Sequence, residues 1–461
     1  MRYSLTVLER DWEALTRSIF GYAGLEGAAY LLCGESVTAG ETRLLVRDVI
    51  PVRDEHYHIR RRDLLSIVSD SYVPIAKRAS ERKESIVFVH SHPESIATFS
   101  SQDNDEDPKL LKFFAKQAPG GHHGTMVISR ADDPPVWDGR MWRRDSWVSL
   151  RQLRIIGRRF RFSHSHSAGH HEEIPVFFDR QVKAFGPEIQ HLLQNLHIGV
   201  VGAGGTGSAV IEQLTRLGLG TLSVFEFDDF EGSNVNRVYG SSVKDDGMPK
   251  IAIARRNIEH IGLGTKVRVF PKGICGELAA KELRDCDIVF GCTDKHGPRG
   301  ILVQLALRYI IPLFDVGVKI ESNQGIIQGV YSRVTTFFPG EACLFCRGRI
   351  SPETIALETL SSAEQAALVK EGYADELDTE SPAVIMFTTA AATQAICELL
   401  HRLTGFMGSD RQSTEVLLRV HSTQLGRNRE QSKAECVCSE RKLWGRGDTR
   451  RFLDLSWPGQ K

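Results

Sequence analysis

The chain has 461 residues, which suggests two or three domains, and its 41% hydrophobic and 25% charged content is ordinary for a globular protein. Lys plus Arg equals Asp plus Glu at 58 each, so charge gives no support for nucleic acid or an anionic membrane as a partner. Residues 1–20, broken by charges, do not read as a secretory leader, no run of about 18 apolar residues occurs, and the nine cysteines are read as thiols or metal ligands in a reducing, cytoplasmic compartment.

In chain order, residues 1–159 form a first domain. Residues 28–33 and 42–52 are predicted strands, rich in branched and aliphatic side chains, and 73–82 a helix. The apolar strand 86–89 runs directly into His90-Ser91-His92-Pro93, and 125–129 is a further strand. Residues 160–175 are polar, His-rich and without hydrophobic period, and read as a linker. The second domain, 176–425, opens with a helix over 186–196. Strand 197–201, the loop Gly202-Ala203-Gly204-Gly205-Thr206-Gly207, a helix to 217 and strand 222–227 then make one βαβ unit. Strands follow at 287–291 and 311–316, a helix at 390–400, and 426–461 is a C-terminal tail. The fold class is therefore α/β: a mixed α/β domain, then a Rossmann-like domain with a mainly parallel sheet and helices on both faces.

Two histidines at i and i+2 leaving a strand share one face. An Asp eleven residues past the second, Asp103, can return on a following helix as a third ligand. Three N/O ligands leave zinc one position open, the mark of a catalytic site. A nearby carboxylate is needed to shuttle protons, and Glu26, ahead of the first predicted strand, is the candidate. This arrangement resembles the JAMM (JAB/MPN) metalloprotease family: Glu on an early strand, H-x-H-P, six residues, S-x-x-D. The resemblance implies His90, His92 and Asp103 as ligands of a catalytic Zn²⁺, Glu26 as general acid/base and Ser100 as a group steadying the oxyanion. A second triplet, His164-Ser165-His166, lacks the downstream Ser and Asp and follows no apolar strand; it reads as solvated linker.

The glycine loop alone fits any dinucleotide-binding domain. Here it is followed by Glu226-Phe227-Asp228, by Ser233-Asn234-Val235-Asn236-Arg237, by Gly247-Met248-Pro249-Lys250, and by Thr293-Asp294 with Arg299. In this order the set is similar to the ThiF/MoeB/ubiquitin-activating family, with Glu226 where Asp is usual; Asp179-Arg180-Gln181 resembles the family's entry helix. The resemblance implies ATP bound over Gly202, Gly204, Gly205 and Gly207, with Asp228 on the ribose and Asn234 orienting phosphate or substrate. Arg237 and Lys250 would clamp phosphates and Asp294 would hold Mg²⁺. Arg180 would reach into the other subunit of a homodimer formed through this domain.

Cys343-Leu344-Phe345-Cys346 and, 90 residues on, Cys436-Val437-Cys438 offer four thiolates, the set for a closed structural Zn²⁺ site; reduced free thiols or a redox CxxC are the other readings. No cysteine lies between Cys346 and Cys397, where thiol-transferring relatives carry their nucleophile. Cargo thus stops at the acyl-adenylate, passes to an external nucleophile, or meets a hydroxyl among 361–362 and 379–381.

The expected function is bifunctional. The second domain would adenylate the C-terminal carboxylate of a small ubiquitin-like or sulfur-carrier protein, with a downstream conjugating protein as a further partner. The JAMM-like domain would cut peptide or isopeptide bonds at that terminus. Rivals are an enzyme adenylating a ribosomal peptide, a nicotinamide oxidoreductase and a nucleotide-binding scaffold without adenylation. An attached peptidase favours conjugation, as in a ubiquitin-like antiviral defence system, over sulfur transfer.

Overall fold

Strand and helix alternate from the start of the computed structural model, which describes residues 2–21, 24–93, 97–130, 134–165, 173–370, 382–408, 411–449 and 451–457. Two units pack separately: one holds the described residues through 165 with 308–310 and 442–449, the other holds the rest.

The first unit contains β1 (Arg2–Leu8), α1 (Glu9–Ile19), β2 (Ala28–Val37), β3 (Glu41–Pro51), β4 (Tyr57–Arg60), β5 (Leu65–Ile67) and α2 (Ser69–Arg82). It continues with β6 (Ser85–Ser91), α3 (Ser101–Gln117), β7 (Gly124–Arg130), β8 (Val136–Arg143), β9 (Ser146–Ile156) and β10 (Phe160–His164). Its sheet runs β1-β3-β2-β6-β7-β8-β9-β10, and β1 also pairs with β9, so the sheet curls back on itself; β4 and β5 form a separate hairpin.

Both faces of this sheet are covered, which the two-residue period of the strands records. In β2, Ala29, Leu31 and Cys33 enter a core with Trp12, Leu15 and Ile19 of α1. Ala28, Tyr30 and Leu32 enter a second core with Ile75 and Ala79 of α2 and Leu111 and Phe114 of α3. In β6 the same period puts Ile86 and Phe88 in that second core. His90 and then His92, one step past the strand's end, continue on that face.

Phe160–His164 corrects the reading of a linker from residue 160. It is a strand antiparallel to β9, Phe160 is buried, and Trp137 Nε1 donates to Ser163 Oγ at 2.9 Å. Ser165 is also buried; His166 and the rest of the predicted linker through 172 lie outside the described residues.

The second unit contains α4 (Asp179–Phe185), α5 (Pro187–Asn195), β11 (His197–Val201), α6 (Gly205–Arg216), β12 (Thr221–Phe225), α7 (Lys250–Ile261), β13 (Lys266–Phe270), α8 (Glu277–Glu282) and β14 (Ile288–Gly291). After these come α9 (His296–Tyr309), β15 (Leu313–Asn323), β16 (Ile326–Phe337), α10 (Pro352–Glu358), α11 (Ser362–Lys370), α12 (Ile385–Thr404), β17 (Glu415–Arg419) and β18 (Gln424–Asn428). The sheet order is β13-β12-β11-β14-β15-β16-β17-β18. Strands β13 through β15 in that order are parallel, while β16, β17 and β18 extend the sheet antiparallel. The chain winds from β11 outward to β13, then returns to β14 on the other side of β11. The switch point where open α/β sheets bind ligands is therefore at the carboxyl ends of β11 and β14. Among the described residues no helix is long and apolar enough to cross a membrane.

Candidate metal and nucleotide sites

In the first unit, local structure delivers each polar group to one point. Ser100 is the N-cap of α3: its Oγ accepts from Asp103 N at 3.2 Å, and Asp103 Oδ2 accepts from Ser100 N at 2.7 Å. This capping box fixes Asp103 in the first turn. It leaves Asp103 Oδ1 3.2 Å from His90 Nε2, with Oδ2 3.6 Å from His92 Nε2. The two Nε2 atoms are 3.1 Å apart, and Glu26 Oε1 lies 3.7 Å from His92 Nε2. Tetrahedral ligation at the usual Zn–N and Zn–O lengths separates ligand atoms by about 3.3 Å. The donor set His90, His92 and Asp103 therefore fits such a metal without rearrangement.

Glu26 reaches this point because Ala28 is in register with His90 across β2 and β6, and Arg60 Nε donates to Glu26 O at 2.8 Å. Burial pushes the Glu26 carboxyl up to about 7, with His90 and His92 pulling the other way. Burial also opposes ionisation of Asp103, but hydrogen bonds from His90 and His92 hold it well below the usual carboxylate range. Ser100 Oγ donates to Asp103 Oδ2 at 2.8 Å, so its hydroxyl orients a ligand in this structure.

Sequence reasoning missed Arg140. Its guanidinium centre lies 3.8 Å from the Phe99 ring centroid and 4.0 Å from that of Trp147. It donates to Asp103 O at 3.1 Å and pairs with Asp107 at 2.7 Å. It thus clamps the turn that carries Asp103.

In the second unit the glycine loop closes tightly over the start of α6. A side chain at Gly207 would meet Gly202 O at 1.9 Å, and Gly202 itself has φ of 93°. This brings helix and strand close enough for backbone N–H groups to face a phosphate. Glu226 is buried: its carboxylate accepts from Ala203 N at 2.8 Å, Phe227 N at 2.8 Å and Asp228 N at 3.0 Å, and so holds the loop together. Asp228 is left facing solvent, paired with Lys250 at 3.3 Å. Arg237 packs against Gly205 and donates to Ser233 O at 2.7 Å. Asn234 is buried beside Ser233. Asp294, just past β14, is exposed. Arg299 is buried and bidentate to Asp315 at 2.8 Å, so it serves packing. Loop, Asp228, Lys250, Arg237 and Asp294 all follow the carboxyl ends of the parallel strands.

Arg180, exposed on α4, is not brought to this group. Its neighbour Gln181 donates to Arg216 O at 2.9 Å, at the C-terminal end of α6. The glycine loop is at the other end of that 12-residue helix, about 18 Å away.

The four cysteines converge. Cys343 and Cys346 sulfurs are 3.9 Å apart, Cys343 and Cys436 3.5 Å, and Cys346 and Cys438 3.4 Å, and Lys433 N donates to Cys346 Sγ. A tetrahedral Zn–thiolate site separates sulfurs by about 3.8 Å, nearly twice a disulfide bond, so the set fits a closed metal site. Of the other cysteines, Cys33 and Cys286 are fully buried and Cys275 is exposed. The Ser/Thr segment 379–381 lies outside the described residues.

These two units define an α/β protein with a histidine–carboxylate cluster in one unit and a glycine-loop crevice in the other. The ThiF family model matches residues 178–439, and the chain belongs to that family. Residues 9–145 match the model for prokaryotic homologues of the JAB domain, so the chain is a fusion of the two. It is similar to a sulfur carrier protein adenylyltransferase of Thermus thermophilus, 32% identical over 128 residues, 28% of this chain and 47% of that one. It is also similar to a ubiquitin-like modifier-activating enzyme 5 of Dictyostelium discoideum, 28% identical over 193 residues, 39% and 47% of the two chains. A molybdopterin-synthase adenylyltransferase of Escherichia coli is 28% identical over 197 residues, 42% and 75%. The chain spans about half the length of the first of these relatives. Among solved structures, E. coli MccB with ATP aligns at a TM-score of 0.45 with 14% identity, over 57% of this chain and 74% of that one.

Proposed function

We propose that the second unit adenylates the C-terminal carboxylate of a small ubiquitin-like or sulfur-carrier protein, and that the first unit cuts peptide or isopeptide bonds at that terminus. The observation that carries the first half is the gathering of Arg237, Lys250, Asp228 and Asp294 around the glycine loop at the sheet's switch point. A carboxylate and a triphosphate repel, and cations must surround them before they meet. Arg237 and Lys250 supply that charge, Asp228 accepts the ribose hydroxyls, Asn234 orients phosphate or substrate, and Asp294 would hold Mg²⁺, which would supply charge neutralisation to the phosphates. The carboxylate oxygen attacks the α-phosphorus, the bond to pyrophosphate breaks, and acyl-AMP forms. Arg180 comes from the second subunit of a homodimer.

In the first unit His90, His92 and Asp103 would hold zinc, whose chemistry is to acidify water and polarise a carbonyl. Glu26, kept partly protonated near neutral pH by burial, takes the proton from the attacking water and returns it to the leaving amine. To steady the oxyanion, the single Ser100 hydroxyl proton would turn from Asp103 Oδ2 to the developing charge. Four cysteines would hold a second, structural zinc.

The test mixes the full chain with Mg·ATP, zinc and a small ubiquitin-like protein whose tail extends past its terminal glycine. Pyrophosphate release that depends on the trimmed tail, with cleavage of the extension, is expected. Pyrophosphate release independent of any tail would refute the reading, as would a crevice that binds a nicotinamide dinucleotide in place of ATP. Handing of the activated tail to a downstream conjugating protein would place the chain in a conjugation pathway.

A further inference from the structure

A cavity of about 260 Å³ opens beside the histidine cluster, with His90 and Asp103 in its wall. The rest of its lining is mixed: Ser66, Gln102, Glu106, Asp107 and Lys109 stand beside six apolar or aromatic side chains. Leu65, Ile67, Tyr72, Leu110 and Phe113 stand around it, each only partly buried although packed against the core that holds Tyr30, Phe88 and Phe114. The hairpin strand β5 is tied to α3 across the cavity by Gln102 Nε2 donating to Leu65 O at 3.2 Å. The acidic groups nearby are neutralised: Asp107 by Arg140 at 2.7 Å and Glu106 by Lys109 at 2.7 Å. Half-covered aliphatic and aromatic side chains around a space of this size leave apolar area that a guest can dehydrate. The volume falls just below the roughly 300–1,000 Å³ of sites that hold a whole small molecule, and suits one large side chain.

We propose that this cavity is a substrate subsite that takes an aliphatic or aromatic side chain of the polypeptide tail, one or two residues from the bond that is cut. The inference rests on the peptidase reading and sharpens it: a tail with only glycine around the scissile bond leaves the cavity unfilled, and among the described residues the cations nearest it, Arg140 and Lys109, are already paired with Asp107 and Glu106. Specificity is set by Ile67 and its neighbours on β5 and α3, and the metal cluster is shared by all substrates.

The experiment uses the zinc-loaded full chain and quenched-fluorescent tail peptides in which Gly, Leu, Phe, Asp or Lys occupies one flanking position at a time. At one position Leu or Phe is expected to exceed Gly and Asp in kcat/KM by roughly 10- to 100-fold, the range one buried apolar side chain supports. Ile67→Trp fills the cavity and should cut that preference at least tenfold with zinc content retained; Ile67→Ala should move it from Leu toward Phe. Absence of an apolar preference at every position, or a preference untouched by both variants, overturns the proposal. If no peptide is cut, the peptidase reading fails, and anisotropy of the same peptides with the Glu26→Gln chain decides the subsite separately. Selective binding of the Leu and Phe peptides upholds it; equal or absent binding overturns it.

Discussion

The Nε2 atoms of His90 and His92 face each other at 3.1 Å, and Asp103 presents one carboxylate oxygen to each ring. Three lone-pair donors gathered at one point, with a second carboxylate, Glu26, held just outside it, is an arrangement a cation can fill. The full chain is expected to carry about two equivalents of zinc, one in each candidate site, and His90→Ala to carry one by elemental analysis. Glu26→Gln should keep both and lower tail cleavage by about 10²–10⁴-fold, the usual contribution of a general acid/base.

Cys343 and Cys346 contact Cys436 and Cys438 from a segment of chain about ninety residues downstream. In the proposed zinc site, removing one thiolate would release the metal and with it the tie between the two segments. Cys438→Ser is expected to cost at least about 4 kcal/mol, the range for loss of a structural metal. At roughly 2–4 °C per kcal/mol for a unit of this size, the melting transition should fall by on the order of 10 °C. Differential scanning fluorimetry with and without a chelator reads it: the parent should approach the variant once stripped, and an unmoved transition counts against a zinc at this place.

Lys250 and Asp228 pair at 3.3 Å at the mouth of the nucleotide crevice, yet the proposed roles differ. Lys250 would stabilise charge that builds on the phosphates, so Lys250→Ala should lower the rate of ATP–pyrophosphate exchange by about 10²–10³-fold. Asp228 would bind the ribose in ground and transition states alike, so Asp228→Ala should raise KM for ATP with a smaller change in kcat. Equal effects on both parameters in both variants would mean that the pair acts only as a structural ion pair.

How much of this could be read from the sequence depended on how local each signal was. The histidine pair was legible because a strand's two-residue period fixes the face of i and i+2, and Asp103 through its spacing from His92 and the resemblance, while the capping box that fixes it emerged only in the structure. Glu26 was legible only through resemblance, since its place depends on the register of Ala28 opposite His90. Arg140 left no signal: it is held by Phe99 and Trp147, which come from opposite sides of it in the chain. Four of the five parallel strands, β11, β12, β14 and β15, were legible as apolar runs, whereas β13, Lys266–Phe270, alternates charged and apolar residues and was not. Strand β1, Arg2–Leu8, alternates Ser4 and Thr6 with apolar residues yet is buried on both faces, and its edges are paired with β3 and β9. The β16–β18 extension likewise depends on pairing, which no local pattern records.

A pH effect follows from Glu41, whose carboxylate accepts from Arg154 at 3.0 Å and Arg43 at 3.1 Å. Burial alone would raise its pKa, but Arg154 and Arg43 hold it well below the usual carboxylate range. A depressed folded-state pKa means stability that is present above the unfolded value, near 4.3, and lost as pH falls below it. Glu41→Gln removes the negative charge facing two buried arginines and should cost about 3 kcal/mol at pH 7. That deficit should shrink steadily as thermal transitions are measured from about pH 5 toward pH 3; a deficit constant with pH would mean that the pair contributes no linkage.

Arg180 lies at the far end of α6 from the glycine loop of its own chain, with its neighbour Gln181 bonded to Arg216. An arginine so placed can serve adenylation only in another subunit's crevice. Arg180→Ala and Lys250→Ala should each be nearly inactive alone in pyrophosphate exchange. Co-expressed with different tags, they should assemble mixed dimers in which one crevice combines an intact Lys250 with an intact Arg180. Random pairing makes half the dimers mixed, each with one working site, so about a quarter of parental activity should return. Activity that stays at the level of the separate variants in purified mixed dimers would end the trans-acting role, and a parent that sediments as a fully active monomer would end it sooner.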